Sequence, residues 1–357
     1  MKKKKILFIA PYPFDEAPSQ RFRFEQYFNY LKENNFEIHF SPFLDQKTWK
    51  TLYSEGKVLR KMLGVVRSFL KRFLLLFTLY KYDFVFIHRE ASHIGPPIFE
   101  FLIAKVFRKE YNYDFDDAIW LPNYSETNAR FHRLKAYWKV RYCIKWAGSI
   151  SAGNNYLANY ARKFNSNVQV IPTTIDTENH HNLQTDYHQE KLVIGWTGTH
   201  TTMRYLDFIV PVIKELEQKY DFEFLIISNE APAYHLKSLR FLKWKRETEI
   251  ADLARISIGI MPLEMDIWSE GKCGFKGLQY MSLGIPALMS PVGVNTQIVS
   301  HSENGFLPIK LEDWKVQLEK LLTDVDLRKK IGEAGKKTIN ERYSVLSNQS
   351  NYLSLFQ

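Results

Sequence analysis

The feature that most constrains this chain is an alternation that runs its length and starts over once. Short apolar runs, typical of strands buried on both faces, are separated by longer stretches with helical periodicity. In the first half the expected strands are Ile6–Ala10, Phe36–Ser41, Asp83–His88, Tyr111–Phe115, Gly148–Ala152 and Val168–Ile171. Between them fall expected helices over Arg21–Glu33 (with Ser19 as its cap), Gly56–Lys81, Pro97–Arg108, Arg130–Trp146 and Asn154–Phe164. A polar, aperiodic stretch at 173–190 reads as an interdomain linker, or else as a long surface loop. The alternation then resumes, with strands over Leu192–Trp196, Phe222–Ile227, Ile258–Met261 and Ile285–Ser290. Helices are expected over Thr202–Lys219, Glu247–Arg255, Gly274–Leu283, Thr296–Val299, Leu311–Thr323 and Asp326–Glu341, before an amphipathic tail, Tyr343–Phe356. Strand–helix alternation of this kind predicts doubly wound parallel sheets. The fold class is therefore α/β, with two Rossmann-like domains at 1–185 and 186–342 facing a central cleft. In open parallel sheets ligands bind beyond the carboxyl ends of the strands, which makes that cleft the expected site.

Length and charge fit this division. At roughly 100–200 residues per domain, 357 residues make two domains. With 45% apolar and 25% charged residues the chain is neither disordered nor fibrous. Residues 1–185 hold 28 basic and 17 acidic side chains, a net of +11, whereas residues 186–357 hold 21 and 22, a net of −1. A one-sided excess implies an anionic partner for the first half (membrane, nucleic acid or a phosphorylated substrate) or a basic surface facing only solvent. Two cysteines, Cys143 and Cys273, make neither a disulfide framework nor a zinc ligand set and favour a reducing, cytosolic setting. Four lysines precede Ile6–Ala10, but that run is shorter than a signal peptide's apolar core and reads as a first strand. The stretch Val58–Tyr80 is broken by Arg60, Lys61, Arg67, Lys71 and Arg72, too many charges for a membrane span. With Lys57 these basic residues alternate with Leu59, Met62, Leu63, Val66, Phe69, Leu70, Phe73 and Leu74. Such a helix either packs one face on the sheet or lies on an anionic bilayer. The apolar residues from Phe69 to Leu79 exceed one face, which favours the bilayer.

Two segments of the second half carry chemistry. Gly195-Trp-Thr-Gly-Thr-His-Thr-Thr202 follows a strand and opens a helix, and its small and hydroxyl residues let backbone approach an anion; a capped strand–helix turn is the plainer reading. Glu264–Pro286 enters a helix whose first turn is expected to carry Lys272 and Lys276. Cations there oppose the helix dipole unless an anion such as a diphosphate sits between them. Gly284 and Pro286 end that helix.

Lys-Cys-Gly-Phe-Lys-Gly-Leu-Gln-Tyr-Met-Ser-Leu-Gly-Ile-Pro at 272–286, followed by Ser290-Pro-Val-Gly-Val-Asn295, Asn304-Gly-Phe-Leu307 and Trp314, resembles the donor-binding domain of family 4 glycosyltransferases, which have the GT-B fold. Ser19-Gln-Arg21-Phe-Arg23, Ile87-His88-Arg89-Glu90 and Asp114-Phe-Asp116-Asp117-Ala-Ile-Trp120 resemble one bacterial branch. The resemblance implies retaining transfer of a hexose-type sugar from a nucleotide-diphosphate sugar to a glycan or lipid-linked acceptor, in cell-surface polysaccharide synthesis. It implies no metal and no cofactor, because basic side chains and helix N-termini stabilise the leaving diphosphate. By position it assigns Gly198, Thr199 and Arg204 to the donor phosphates, Lys272 and Lys276 to the diphosphate, and Ser228, Asn229 and Trp244 to the nucleobase side. It also implies that the segment 343–357 crosses back to the first domain.

The chain departs from the family in three places. The second glutamate of the paired-glutamate motif, a ribose ligand, falls at Gln279, and the first falls at Gly271, next to Glu270. The first loop, Pro11–Gln20, lacks the usual glycines, so Arg21 or Arg23 supplies charge for a phosphate or the acceptor, or simply lines a solvated helix face. Asp114-Phe-Asp116 matches the metal motif of the other glycosyltransferase fold, GT-A, whose single Rossmann-like domain fits this chain less well. Asp116 and Asp117 thus read as acceptor or catalytic contacts, metal ligands or structural caps. His88, at the preceding strand end, reads as catalytic or as structurally hydrogen-bonded. The expected enzyme is a hexosyltransferase, cytoplasmic and peripheral on the inner membrane face. The expected catalytic residues are His88, Asp116, Asp117 and Glu270. The alternatives are a non-hydrolysing sugar-nucleotide epimerase of the same fold and a basic nucleic-acid-binding module. The second is disfavoured because the basic residues are scattered and no nucleic-acid motif occurs, so no nucleic-acid partner is expected.

Overall fold

Strand positions follow the apolar runs closely. The computed structural model describes residues 2–52, 56, 58–122 and 132–357. They divide into two compact units, Met1–Thr173 with Gln349–Gln357, and Thr174–Asn348. In the first unit the described strands are β1 (Lys4–Ala10), β2 (Phe36–Pro42), β3 (Phe84–His88), β4 (Asn112–Phe115), β5 (Ser149–Ala152) and β6 (Val168–Val170). They form one sheet in the order β2-β1-β3-β4-β5-β6, parallel throughout. In the second unit β7 (Leu192–Thr197), β8 (Phe222–Ser228), β9 (Leu239–Lys243), β10 (Ile258–Met261) and β11 (Ala287–Met289) form a parallel sheet in the order β11-β10-β7-β8-β9. Each unit is a Rossmann-like doubly wound sheet.

The core of the first unit is aromatic. Phe8 of β1 packs against Phe24, Phe28, Phe86 and Phe356 at centroid distances of 4.8–5.8 Å. Tyr352 stacks on Tyr27 at 4.1 Å. The last residues of the chain are thus core residues of its first unit.

Several expected elements differ for identifiable reasons. The expected helix Arg21–Glu33 is broken into Pro18–Arg21, a 3₁₀ turn Glu25–Tyr27 and Phe28–Glu33, with Ala17 rather than Ser19 at the N-cap. Phe22, Arg23 and Phe24 are all buried, and one helix face cannot bury three successive residues. The expected helix Pro97–Arg108 is helical over Ile98–Phe101 and becomes a π-turn after Phe101. The helix expected over 202–219 starts at His200 and breaks before resuming at Val210, with Pro211 at its start, where the missing N–H costs nothing. Arg130 lies outside the described residues, and the regular helix downstream is Lys139–Trp146. β9, Leu-Arg-Phe-Leu-Lys, was not expected; its charged positions suit an edge strand.

The stretch 174–190 is a packed part of the second unit rather than a linker. Ile175 exchanges backbone hydrogen bonds with the 343–345 segment (2.9 Å each), Thr185 Oγ1 donates to Ile256 O (2.8 Å) and the Tyr187 hydroxyl donates to Gly284 O (2.8 Å).

The basic helix spans Val58–Leu76, and Lys57 lies outside the described residues. Its buried residues are Ser68, Arg72 and Leu76. Most of its large apolar side chains are exposed. Arg72 points inward and donates to Ala91 O (3.0 Å), Ser41 O (3.1 Å) and Ser41 Oγ (3.0 Å). Burial lowers its guanidinium pKa to about 10. Among the described residues no helix is long and apolar enough to cross a membrane.

Candidate functional site

In the second sheet the chain leaves β7 toward β8 on one side, while β10 pairs on the other. Such a switch point opens a crevice at the carboxyl edge, between the loops after β7 and β10. The loop after β7 is held by backbone. Gly198 N donates to Ile227 O (3.1 Å) and Thr202 N to Thr199 O (3.0 Å), with Thr199 at the cap of the helix starting at His200. A Cβ on Gly198 would lie 2.6 Å from the Trp196 ring and 2.9 Å from Thr202 Oγ1, so only glycine fits. Ser228 ends β8, buried. Asn229 Oδ1 accepts from His200 N (2.9 Å), and Trp244 N donates to Ser228 O (2.9 Å). Gly198, Thr199, Ser228, Asn229 and Trp244 therefore share one edge. Arg204 is exposed over the Tyr205 ring at 5.1 Å. Its pKa is raised, first by hydrogen bonding to the Tyr205 hydroxyl and further by Glu264 and Asp266 in the loop after β10.

That second loop forms a short helix, Ile267–Glu270, capped by Asp266, which accepts from Ser269 N (2.6 Å). Gly274 then adopts φ +69°, where a Cβ would also collide with Ile298, and starts the helix Phe275–Ser282. Lys272 consequently sits in the link between two helices, not in a first turn as expected; its ammonium lies 4.8 Å from the Trp268 ring centroid. Lys276 does lie in the first turn, 5.5 Å from the Trp196 ring centroid. One indole thus contacts both the β7 loop and the helix that carries Lys276. The Tyr280 hydroxyl pins this helix to the strand ends, accepting from Thr197 N (3.1 Å) and donating to Ile260 O (3.4 Å). Glu270 is half-buried at the end of the short helix. Gln279, expected as the ribose ligand, is 2% exposed and lies 3.3 Å from His181 Nε2. From there contacts continue through His180 and Arg246 to Glu249.

The first sheet has its switch point between β1 and β3. His88, the last residue of β3, is fully buried. Its Nδ1 donates to Asp114 Oδ2 (2.7 Å), and its Nε2 has no hydrogen-bond partner among the described residues. Asp114 also accepts from Ser151 Oγ (2.8 Å) and from Arg23, whose Nη1 donates to Ile171 O. Burial opposes ionisation of Asp114, but Arg23 and the His88 hydrogen bond outweigh it and hold the carboxyl well below the usual carboxylate range. Arg23 is 1% exposed and ion-paired, not turned toward a phosphate as expected. Arg21 is buried too, 3.3 Å from the Asp15 carboxylate.

Asp116 and Asp117 lie just beyond β4, partly exposed. Arg89 holds both, at 2.7 and 2.8 Å. Arg89 has φ +57°, a conformation non-glycine residues rarely take. It is over-determined by its N donating to Asp114 O (2.7 Å), by the Tyr113 hydroxyl donating to its carbonyl, and by the two aspartates. Glu90 pairs with Lys139 and His93 (2.8 Å each), which outweigh its burial and bring its pKa down to about 2.

The residues that sequence reasoning missed are the connectors. Asp114 joins Arg23 to His88, Trp196 joins Gly198 to Lys276, and Tyr280 ties a helix to two strands. All three stood inside quoted motifs, Tyr280 as a helix residue of 272–286 with no signal of its own.

The family model described as "Glycosyl transferases group 1" matches residues 191–324. No curated protein matches the chain by sequence. Among solved structures, the chain is similar to sucrose-phosphate synthase from Thermosynechococcus elongatus (10% identity, 99% of this chain and 98% of that one, TM-score 0.68). It is also similar to a glycosyltransferase from Rickettsia africae (13%, 100% and 98%, 0.68) and to Anabaena HepE in complex with UDP-glucose (14%, 98% and 99%, 0.67). Those likenesses establish the fold, which is GT-B. Residues 191–324 match the group 1 glycosyl transferase domain, and the chain is a transferase.

Proposed function

We propose that the protein transfers a hexose-type sugar, with retention, from a nucleotide-diphosphate sugar to a glycan or lipid-linked acceptor in cell-surface polysaccharide synthesis. One observation carries the donor half of this reading: Lys276, in the first turn of its helix, lies on the face of the indole whose edge Gly198 touches. A diphosphate seated there meets an ammonium, a helix N-terminus and a loop open to close backbone approach. Lys272 and Arg204 add charge from the link and from the β7 side. Ser228, Asn229 and Trp244 border the nucleobase. Developing charge on the leaving group is then met by fixed cations, and no metal is required.

Asp116, Asp117 and Glu270 are the proposed contacts to the transferred sugar and acceptor, whereas His88, expected as catalytic, is fully buried and acts behind them through Asp114. Asp116 and Asp117 support this with oxygens held in place by Arg89. The two cysteines and the family resemblance support a cytoplasmic enzyme.

The test is a screen of nucleotide sugars for release of nucleoside diphosphate, with and without glycan and lipid-linked acceptors, comparing wild type with Lys276→Ala. Turnover that needs an acceptor, survives chelator and falls in the variant supports the proposal, and the anomeric configuration of the product tests retention. No turnover with any donor, or an unaffected variant, overturns it. Isomerisation of the donor without acceptor assigns the epimerase instead.

A further inference from the structure

The helix Val58–Leu76 is mounted with its apolar stripe outward. Leu59, Leu63, Val66, Leu70, Phe73 and Phe77 recur at helical spacing, and each is at least 49% exposed. What fixes this orientation is Arg72, on the opposite side, whose guanidinium is tied to the carbonyls of Ala10, Ser41 and Ala91. Rotating the helix to bury the stripe would pull a charged group off its acceptors and leave them unpaired. The exposed stripe is therefore built into the fold.

The surface does not stop at the helix. Phe77 meets Phe107 edge-on at 6.0 Å. Phe107, Val106, Phe101, Ile98 and Trp138 are each 38–56% exposed. Ile98, Phe101 and Trp138 also line a surface pocket of about 250 Å³, with Pro97, Tyr142 and Trp146. Patches of this extent on one face mark an interaction site.

We propose that this face seats the protein on an anionic lipid bilayer. The charge pattern selects that partner. Arg60, Arg67 and Lys71 run along one flank of the stripe, all exposed, and no Asp or Glu occurs between residues 56 and 82. A second copy would bring like charges together with no carboxylate on the helix to meet them. An anionic headgroup layer pairs with the basic flank, while the stripe enters the acyl boundary and the aromatic pocket takes part of an acyl chain. The proposal is independent of the donor chemistry.

The full-length protein is sedimented with phosphatidylcholine vesicles, with and without phosphatidylglycerol. Binding is expected to the anionic vesicles. Arg60→Gln/Arg67→Gln/Lys71→Gln should bind about a hundredfold more weakly, from roughly one kcal/mol per surface cation. Leu63→Asp/Leu70→Asp should lose at least about tenfold from the buried apolar area. All substituted positions are exposed, so circular dichroism should match wild type. Equal binding to neutral and anionic vesicles, or none to either, overturns the proposal. So does a concentration-dependent dimer that Leu63→Asp/Leu70→Asp dissociates, which would assign the face to a second copy.

Discussion

At the carboxyl edge of the first sheet, arginines are matched to carboxylates: Arg23 to Asp114, Arg89 to Asp116 and Asp117, with Lys139 on Glu90. At the equivalent edge of the second sheet, two lysines lie on indole faces, Lys272 on Trp268 and Lys276 on Trp196. The difference is one of purpose. A carboxylate cancels an arginine's charge and fixes geometry, at the cost of desolvating both groups. An indole face holds a cation in place without cancelling its charge. The first edge is thus a rigid polar frame that also holds Asp116 and Asp117, and the second seats its lysines on rings at the proposed donor site. The comparison also revises the charge excess of the first half. Part of it is internal, because Arg21, Arg23, Arg72 and Lys139 are buried, while part is laid along the outer helix.

If the first edge is structural, removing its hub should be costly. Asp114→Ala leaves Arg23 buried without its carboxylate and is expected to destabilise the first unit by about 3–5 kcal/mol, measured by urea unfolding. A loss under about 1 kcal/mol would mean that the pair is not a frame. A second measure of that burial is Glu25, which burial pushes up to about 7 despite hydrogen bonds from Asp15 N and Gln20 Nε2. A carboxyl whose folded pKa is raised keeps its full stability below the unfolded value near 4.5. It loses that stability as pH rises toward 7, by about 3 kcal/mol in all. Glu25→Gln should flatten the fall between pH 4.5 and 7. Glu90 acts with the opposite sign in a lower window, its contribution being present above about 4.5 and lost as pH falls through about 2.

If the second edge is functional, the reverse pattern should hold. Lys276→Ala should cut kcat/KM for donor turnover about a hundredfold, the scale of one lost charge-stabilising group. Unfolding should shift by less than about 1 kcal/mol. A variant that lost stability instead would place Lys276 with the frame-building residues.

The same contrast explains what could be read beforehand. Buried parallel strands are nearly continuous apolar runs, so Ile6–Ala10 or Ile258–Met261 announce themselves, whereas the edge strand Leu239–Lys243, with two of its five residues charged, does not. The periodicity of residues 58–76 revealed an amphipathic helix but not which face lies inside. That was decided by Arg72 reaching carbonyls on three other segments, which no local pattern encodes. The tight turn at Gly198 and the first-turn place of Lys276 were legible because backbone-approach and helix-dipole arguments are local, whereas Lys272 falls in the link before that helix. Arg23 was misread because its partner, Asp114, is 91 residues away.

Gln279 puts the comparison to its finest test. Arg246 has only donors, so its contact with His180 Nε2 (2.8 Å) makes that nitrogen an acceptor and leaves the proton on His180 Nδ1. That proton points at His181 Nδ1 (3.0 Å), so the proton of His181 is on Nε2, facing Gln279. The amide must therefore present its oxygen to His181, a side-chain assignment made from the network. A glutamate at 279 would accept the same N–H, but as a buried carboxylate facing a neutral imidazole it should cost more than about 1 kcal/mol at neutral pH. Because position 279 is turned inward, KM for the donor should stay within about twofold. A clear fall in KM for Gln279→Glu would show that this position reaches the ribose as in the family it resembles. The second edge would then recognise its donor through an anionic side chain as well as through lysines, backbone and rings.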